Sequence, residues 1–122
     1  MDEHYKPRTT VIVPTYNEAK LIRNKLDNLY AQDYPKDLTE IIVVDSASDD
    51  GTADLVGKWA SKHGDANLKL VKEAERRGKV HALNYSLKYA TGEIIVIADA
   101  VWPSNALKEV LKWFAEPAVG AV

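Results

Sequence analysis

Four short runs of β-branched and aliphatic residues recur along the chain, and most are followed by a stretch with helical spacing. That alternation limits the fold more than any other feature. Thr10-Val11-Ile12-Val13 stops at Pro14 and predicts a buried strand. Glu18 to Gln32 places Ile22, Leu26, Leu29 and Tyr30 at helical intervals, and Tyr34-Pro35 ends that helix. Glu40 to Val44 predicts a second strand, apolar on both faces, as suits a parallel sheet covered on both sides. Ser48-Asp49-Asp50 supplies capping side chains to a helix whose face carries Val56, Trp59, Ala60 and His63. Leu68 to Val71 is a weaker third strand. Leu83, Ser86, Leu87 and Ala90 mark a further helix that Gly92 stops. Ile94-Ile95-Val96-Ile97 is the most apolar strand. Leu107, Val110, Leu111 and Phe114 predict a last helix after Pro103-Ser104. Such a series builds βαβ units with right-handed crossovers, an α/β fold with a mostly parallel sheet.

In open sheets of this kind ligands bind beyond the carboxyl ends of the strands. The segments there are Pro14 to Glu18, Asp45 to Asp50, Lys72 to Lys79 and Ala98-Asp99-Ala100, and they are polar where the strands are not. Tyr16 can offer a flat face to a base or serve as a hinge tyrosine. Asp45 can accept hydrogen bonds from a base or ribose, or order a turn. Ser48-Asp49-Asp50-Gly51-Thr52 is assigned mainly to helix capping. Arg76, Arg77 and Lys79 can neutralise a diphosphate or form a solvated charged turn. His81 is read as structural or solvent-facing. Asp99, arriving after an apolar strand, suits a hard cation such as Mg²⁺ or Mn²⁺ held with phosphate oxygens.

Other chemistries are excluded. The chain has 122 residues, enough for one domain with a core. Its 16 basic and 18 acidic residues give a net charge of -2, which argues against a nucleic-acid surface. It has no cysteine, so disulfides and thiolate metal sites are ruled out and the expected compartment is the reducing cytoplasm. Neither a signal peptide nor a membrane-spanning run is present. Membrane association of a longer parent chain is left open. There is no P-loop, no Gly-x-Gly-x-x-Gly after the first strand and no nucleophile elbow.

Together these residues resemble the family 2 glycosyltransferases of the GT-A fold, from Thr10 to Val122. Val11 to Glu18 is similar to the family's first strand and base-binding loop. Ile41 to Thr52 is similar to its second strand, which ends on an aspartate. Arg76 to Asn84 is similar to its basic segment, and Gly92 to Asp99 to the strand entering its Asp-x-Asp metal motif. The resemblance implies a Rossmann-like three-layer α/β/α sandwich with strand order 3-2-1-4. It implies a single nucleotide-sugar-binding domain over residues 1–122. The implied nucleotide-binding residues are Pro14, Tyr16, Glu18, Asp45, Arg76 and Lys79, and the implied metal residue is Asp99. The donor would be a nucleoside diphosphate sugar, most commonly a UDP-sugar with GDP-sugar as the other option, used for inverting transfer with Mg²⁺ or Mn²⁺.

Two departures stand out. The order Asp99-Ala100-Val101-Trp102-Pro103 leaves one carboxylate of the acidic motif missing, so weak, nucleotide-assisted metal binding is expected. The family's acceptor half, with its general base and Gln-x-x-Arg-Trp motif, has no counterpart in these residues, so no catalytic residue is assigned. The competing reading is therefore a non-catalytic, truncated or minimal GT-A core that folds and binds nucleotide weakly at most. A nucleotidyltransferase-like domain would need a Gly-rich basic loop after the first strand, and Pro14 to Glu18 is not one. An uncovered sheet edge would offer a route to a homo-oligomer.

Overall fold

The computed structural model describes residues 7–32 and 34–98. Strand β1 (Thr9–Thr15) leads to helix α1 (Ile22–Tyr30), a short 3-10 turn (Lys36–Leu38) and β2 (Thr39–Asp45). Helix α2 (Thr52–Lys62), β3 (Asn67–Lys72), α3 (Lys79–Leu87) and β4 (Ile94–Ile97) complete the described order. All pairings are parallel and the sheet order is β3-β2-β1-β4. The expected α/β sandwich and its strand order are both present.

The two faces are filled differently. Val11, Val13, Ile41 and Val43 point to α1 and α2, where Ile22, Leu26, Leu29, Val56 and Trp59 bury against them. Ile12 and Val44, one residue out of phase, point to α3 and meet Ala82 and Leu83. Two-sided burial of β1 and β2 is what their unbroken apolar runs specify.

β1 does not stop at Pro14. It continues to Thr15, pairing Pro14 with Val44 and Thr15 with Asp45. The reason lies in the alternation of backbone groups. Thr15 C=O accepts from Ser46 N on the β2 side, and Ile12 C=O accepts from Ala98 N on the β4 side. Pro14 therefore faces the β4 side, past the last pair in that register, Ile12 with Ile97. Its missing N–H breaks no ladder bond there.

Other boundaries shift. α1 starts at Ile22 instead of Glu18, because Glu18 C=O first closes a turn with Leu21 N and Ile22 N. His63 lies just past α2, yet its ring stacks on Trp59 at 3.9 Å. α3 packs through the small residues Ala82 and Ser86, so Leu87, about 100° further round the helix, is exposed. β4 is the most apolar strand in sequence, but Ile95 and Ile97 stay about half exposed, because they lie beyond the part of the sheet that α3 covers.

The amino-terminal edge of the sheet is closed by one buried carboxylate. Glu40 Oε1 accepts from Thr10 Oγ1 at 2.9 Å and Thr91 N at 3.0 Å. Its Oε2 accepts from Thr91 Oγ1 at 3.1 Å and pairs with Lys69 Nζ at 2.7 Å. Burial alone would push this carboxyl up; Lys69 and the threonine hydrogen bonds outweigh it and hold it below its ordinary value. Gly92 N donates to Thr10 Oγ1, and a Cβ on Gly92 would stand 2.5 Å from Thr10 N. The segment entering β4 thus lies directly against β1.

Candidate functional site

At the opposite edge, the carboxyl ends of β1 and β2 and the start of α3 enclose a cleft of about 220 Å³. Its lining includes Pro14, Thr15, Tyr16, Glu18, Lys25, Ser46 and Arg76, with Gly78 and Ala82 from the α3 end. Four of the expected site residues, Pro14, Tyr16, Glu18 and Arg76, meet in it. The Arg76 guanidinium carbon lies 4.0 Å from the Tyr16 ring centroid, a cation–π contact across the mouth.

The loops are shaped by the short polar residues after β1 and β2. Asn17 and Ala47 take positive φ, 49° and 57°. Asn17 Oδ1 accepts from Asp49 N, and Asn17 N donates to Ser48 Oγ at 2.8 Å. Asp50 Oδ2 accepts from Ala19 N and its Oδ1 from Thr52 N, each at 3.1 Å. The Thr52 hydroxyl also donates to Asp50 and is the main reason that its carboxyl lies below the usual range. Ser48-Asp49-Asp50 is structural, as expected, but it mainly pins the β1 loop: the N-cap of α2 is Gly51, which has no side-chain capping bond.

Asp45 is buried and does not line the cleft. Its Oδ1 accepts from Ser48 Oγ at 2.6 Å and its Oδ2 from Ser48 N at 3.2 Å. This ordered turn sets the position of Ser46, which does line the cleft. Ser46 Oγ donates to buried Glu73 at 2.6 Å, and Glu73 Oε2 lies 2.6 Å from His81 Nδ1. Glu73 N donates to Asp45 C=O. One carboxylate therefore joins the ends of β2 and β3 to the first turn of α3. Arg77 pairs with exposed Glu75 rather than reaching the cleft. Lys79 opens α3 directly after Gly78, whose φ is +94°. Asp99 lies outside the described residues. The strand before it, β4, runs parallel to β1, so its carboxyl end lies on the side of the sheet where Asp45 ends β2.

Sequence reasoning missed Lys25, Thr15, Ser46 and Glu73. Lys25 had a readable signal. It stands three residues after Ile22 and four before Leu29, so it borders the buried face of α1. Its side chain is only 12% exposed and its Nζ sits 2.8 Å from Glu18 Oε1.

Among the described residues no three His, Cys, Asp or Glu side chains gather into a metal-binding group. No helix among them is long and apolar enough to cross a membrane.

A cleft at the carboxyl edge of a parallel sheet, with an aromatic ring, a guanidinium and a helix start around it, suits a nucleotide. The sequence profile described as Glycosyl transferase family 2 matches residues 10–122. The chain belongs to glycosyl transferase family 2. A mannosyltransferase, PcManGT from Pyrobaculum calidifontis, solved in complex with GDP-Man and Mn²⁺, is 59% identical with a TM-score of 0.90. The match covers 95% of this chain and 34% of that one. S. aureus TarS residues 1–349, solved with UDP, is 34% identical with a TM-score of 0.77, over 88% of this chain and 32% of that one. A Methanococcus voltae dolichyl N-acetyl-alpha-D-glucosaminyl phosphate 3-beta-D-2,3-diacetamido-2,3-dideoxy-beta-D-glucuronosyltransferase is 38% identical over 75% of this chain and 28% of its own length. This glycosyltransferase domain spans about a third of the length of such relatives, and its sheet is of the GT-A kind that the resemblance implied.

Proposed function

We propose that residues 1–122 form one donor-binding unit of an inverting glycosyltransferase, and that its donor is GDP-mannose or a closely related GDP-sugar. The observation that carries this reading is the cleft that joins Pro14, Tyr16, Glu18 and Arg76 at the carboxyl edge of the sheet. The guanosine choice is supported by the 59% identity to a protein solved with GDP-Man; the relative solved with UDP is more distant, at 34%.

In this reading the base enters the cleft against Tyr16, with the Arg76 guanidinium over the same ring or displaced toward the diphosphate. Asp45 acts on the site indirectly, holding the Ser46 wall in place through its two hydrogen bonds to Ser48. The α3 start, with Lys79, faces the diphosphate, where backbone N–H groups favour anions. Asp99 would be the cation ligand. A divalent cation bound there with phosphate oxygens would offset charge on the leaving diphosphate. Donor phosphates would supply part of the ligand set beside Asp99.

Calorimetric titration with GDP-mannose, UDP-N-acetylglucosamine and mannose 1-phosphate, with and without Mn²⁺, tests the proposal. GDP-mannose should bind most tightly, mannose 1-phosphate least, and Mn²⁺ should strengthen only the diphosphates. Equal affinity for GDP-mannose and mannose 1-phosphate would remove the base site. Indifference of GDP-mannose to Mn²⁺ would remove Asp99 as a cation ligand.

A further inference from the structure

Two buried side-chain oxygens among the described residues have no hydrogen-bond partner, Thr15 Oγ1 and Glu18 Oε2, and both residues line the donor cleft. Orphaned buried polar atoms are uncommon and costly, so two in one cleft point to a ligand that supplies N–H or O–H groups. Beside them stands a cation that sequence reasoning passed over. Lys25 is nearly buried, lines the same cleft, and spends one of its three donors on Glu18 Oε1. The cleft wall therefore offers a donor, Lys25 Nζ, next to an acceptor, Glu18 Oε2, on one rigid ion pair.

That order has a chemical complement. A lactam edge carries a carbonyl oxygen beside a ring N–H. Guanine has one at O6 and N1, and uracil at O4 and N3. Adenine and cytosine carry the reverse order, an amino group beside a bare ring nitrogen. Against Lys25 and Glu18 they would set donor to donor and acceptor to acceptor, leaving buried groups unpaired. Guanine adds an exocyclic amino group, whose protons can meet Thr15 Oγ1. We infer that Lys25, locked to Glu18, is a specificity-determining residue that selects a lactam base, guanine above all, in the donor nucleotide. The inference rests on the donor-binding reading above and adds the residue pair that performs the selection.

Affinities of GDP, UDP, ADP, CDP and inorganic pyrophosphate for the whole chain, measured by calorimetry, test it in wild type, Lys25→Met and Glu18→Gln. Wild type should bind GDP at least tenfold more tightly than ADP, and UDP more tightly than CDP. Lys25→Met should bring GDP to the ADP level while ADP and pyrophosphate stay within twofold of wild type. Unchanged ADP binding then also reports that the variant is folded. Glu18→Gln, which puts an amide nitrogen or a neutral oxygen in place of the carboxylate, should cut the GDP-to-ADP ratio without weakening ADP. Equal weakening of GDP, ADP and pyrophosphate in Lys25→Met would make Lys25 a phosphate or packing residue and overturn the inference. An unchanged GDP-to-ADP ratio in both variants would overturn it too, with donor binding intact. Wild type that prefers no nucleotide over pyrophosphate would instead sink the donor reading itself.

Discussion

The two edges of the sheet treat carboxylates in opposite ways. At the amino-terminal edge Glu40 is buried with both oxygens doubly partnered, by Thr10, Thr91 and Lys69. At the carboxyl edge Glu18 pairs one oxygen with Lys25 and leaves the other buried and unpartnered. The first arrangement is complete without any ligand and serves stability. The second is incomplete, as suits the cleft proposed to hold the donor. Satisfied and unsatisfied polar groups thus separate an edge built for stability from the edge proposed to bind.

The sharpest way to break this contrast is Glu40→Ala. It removes the acceptor for four hydrogen-bonding groups, and the loss should be about 3 kcal/mol, the scale of breaking a buried charge pair. Chemical denaturation should register that loss, while nucleotide affinity should not change. The same carboxyl adds an acid-side test. Its folded pKa lies below its unfolded value, so its contribution is complete above the unfolded pKa and disappears as pH falls through the folded one. Glu40→Gln should therefore lose less stability than wild type on acidification. A variant with the wild-type acid slope would show that other carboxylates set it.

Gly92→Ala tests the same edge through sterics. The new methyl would meet Thr10 N at 2.5 Å and Thr9 C at 2.8 Å, both backbone atoms that cannot turn away. A destabilisation of about 2 kcal/mol is expected, the scale of overpacking. A melting temperature equal to wild type would show that β4 can slide on β1. At the other edge, Tyr16→Ala should leave stability within about 0.5 kcal/mol, as for exposed positions. It should weaken GDP binding roughly tenfold, about 1.4 kcal/mol, from lost base stacking. Loss of stability without loss of affinity would reverse the roles given to the two edges.

Much of this was legible in the sequence, for identifiable reasons. The unbroken apolar runs of β1 and β2 required two covered faces, and both are covered. The order β3-β2-β1-β4 came from resemblance alone, since periodicity says nothing about which strands are neighbours. Tyr16, Glu18 and Arg76 could be nominated because ligands gather beyond strand ends, and the structure brings the three into one cleft. Asp45 was located correctly at a strand end, but its carboxylate turns to Ser48, and a choice between turn and cleft lies in side-chain direction, which spacing does not encode. Glu40 and Glu73 were invisible because a buried carboxylate reads as a surface one until its partners are known. Those partners come from distant segments, Thr91 in one case and Ser46 in the other.

The parallel order has a consequence for how the chain reaches this state. β1 forms the middle of the sheet, yet one of its neighbours is the next strand and the other is the last of the four. During synthesis β1, β2 and β3 can assemble with α1 and α2 before β4 has left the ribosome. The final seam between β1 and β4 closes the longest loop in the described chain, and loop closure of that kind slows folding. Until it closes, the β4 side of β1 is an open row of backbone donors and acceptors at Thr10 and Ile12. The nascent chain is then most vulnerable to pairing with another copy of itself, and the close fit of Gly92 on Thr10 forms only when that interval ends.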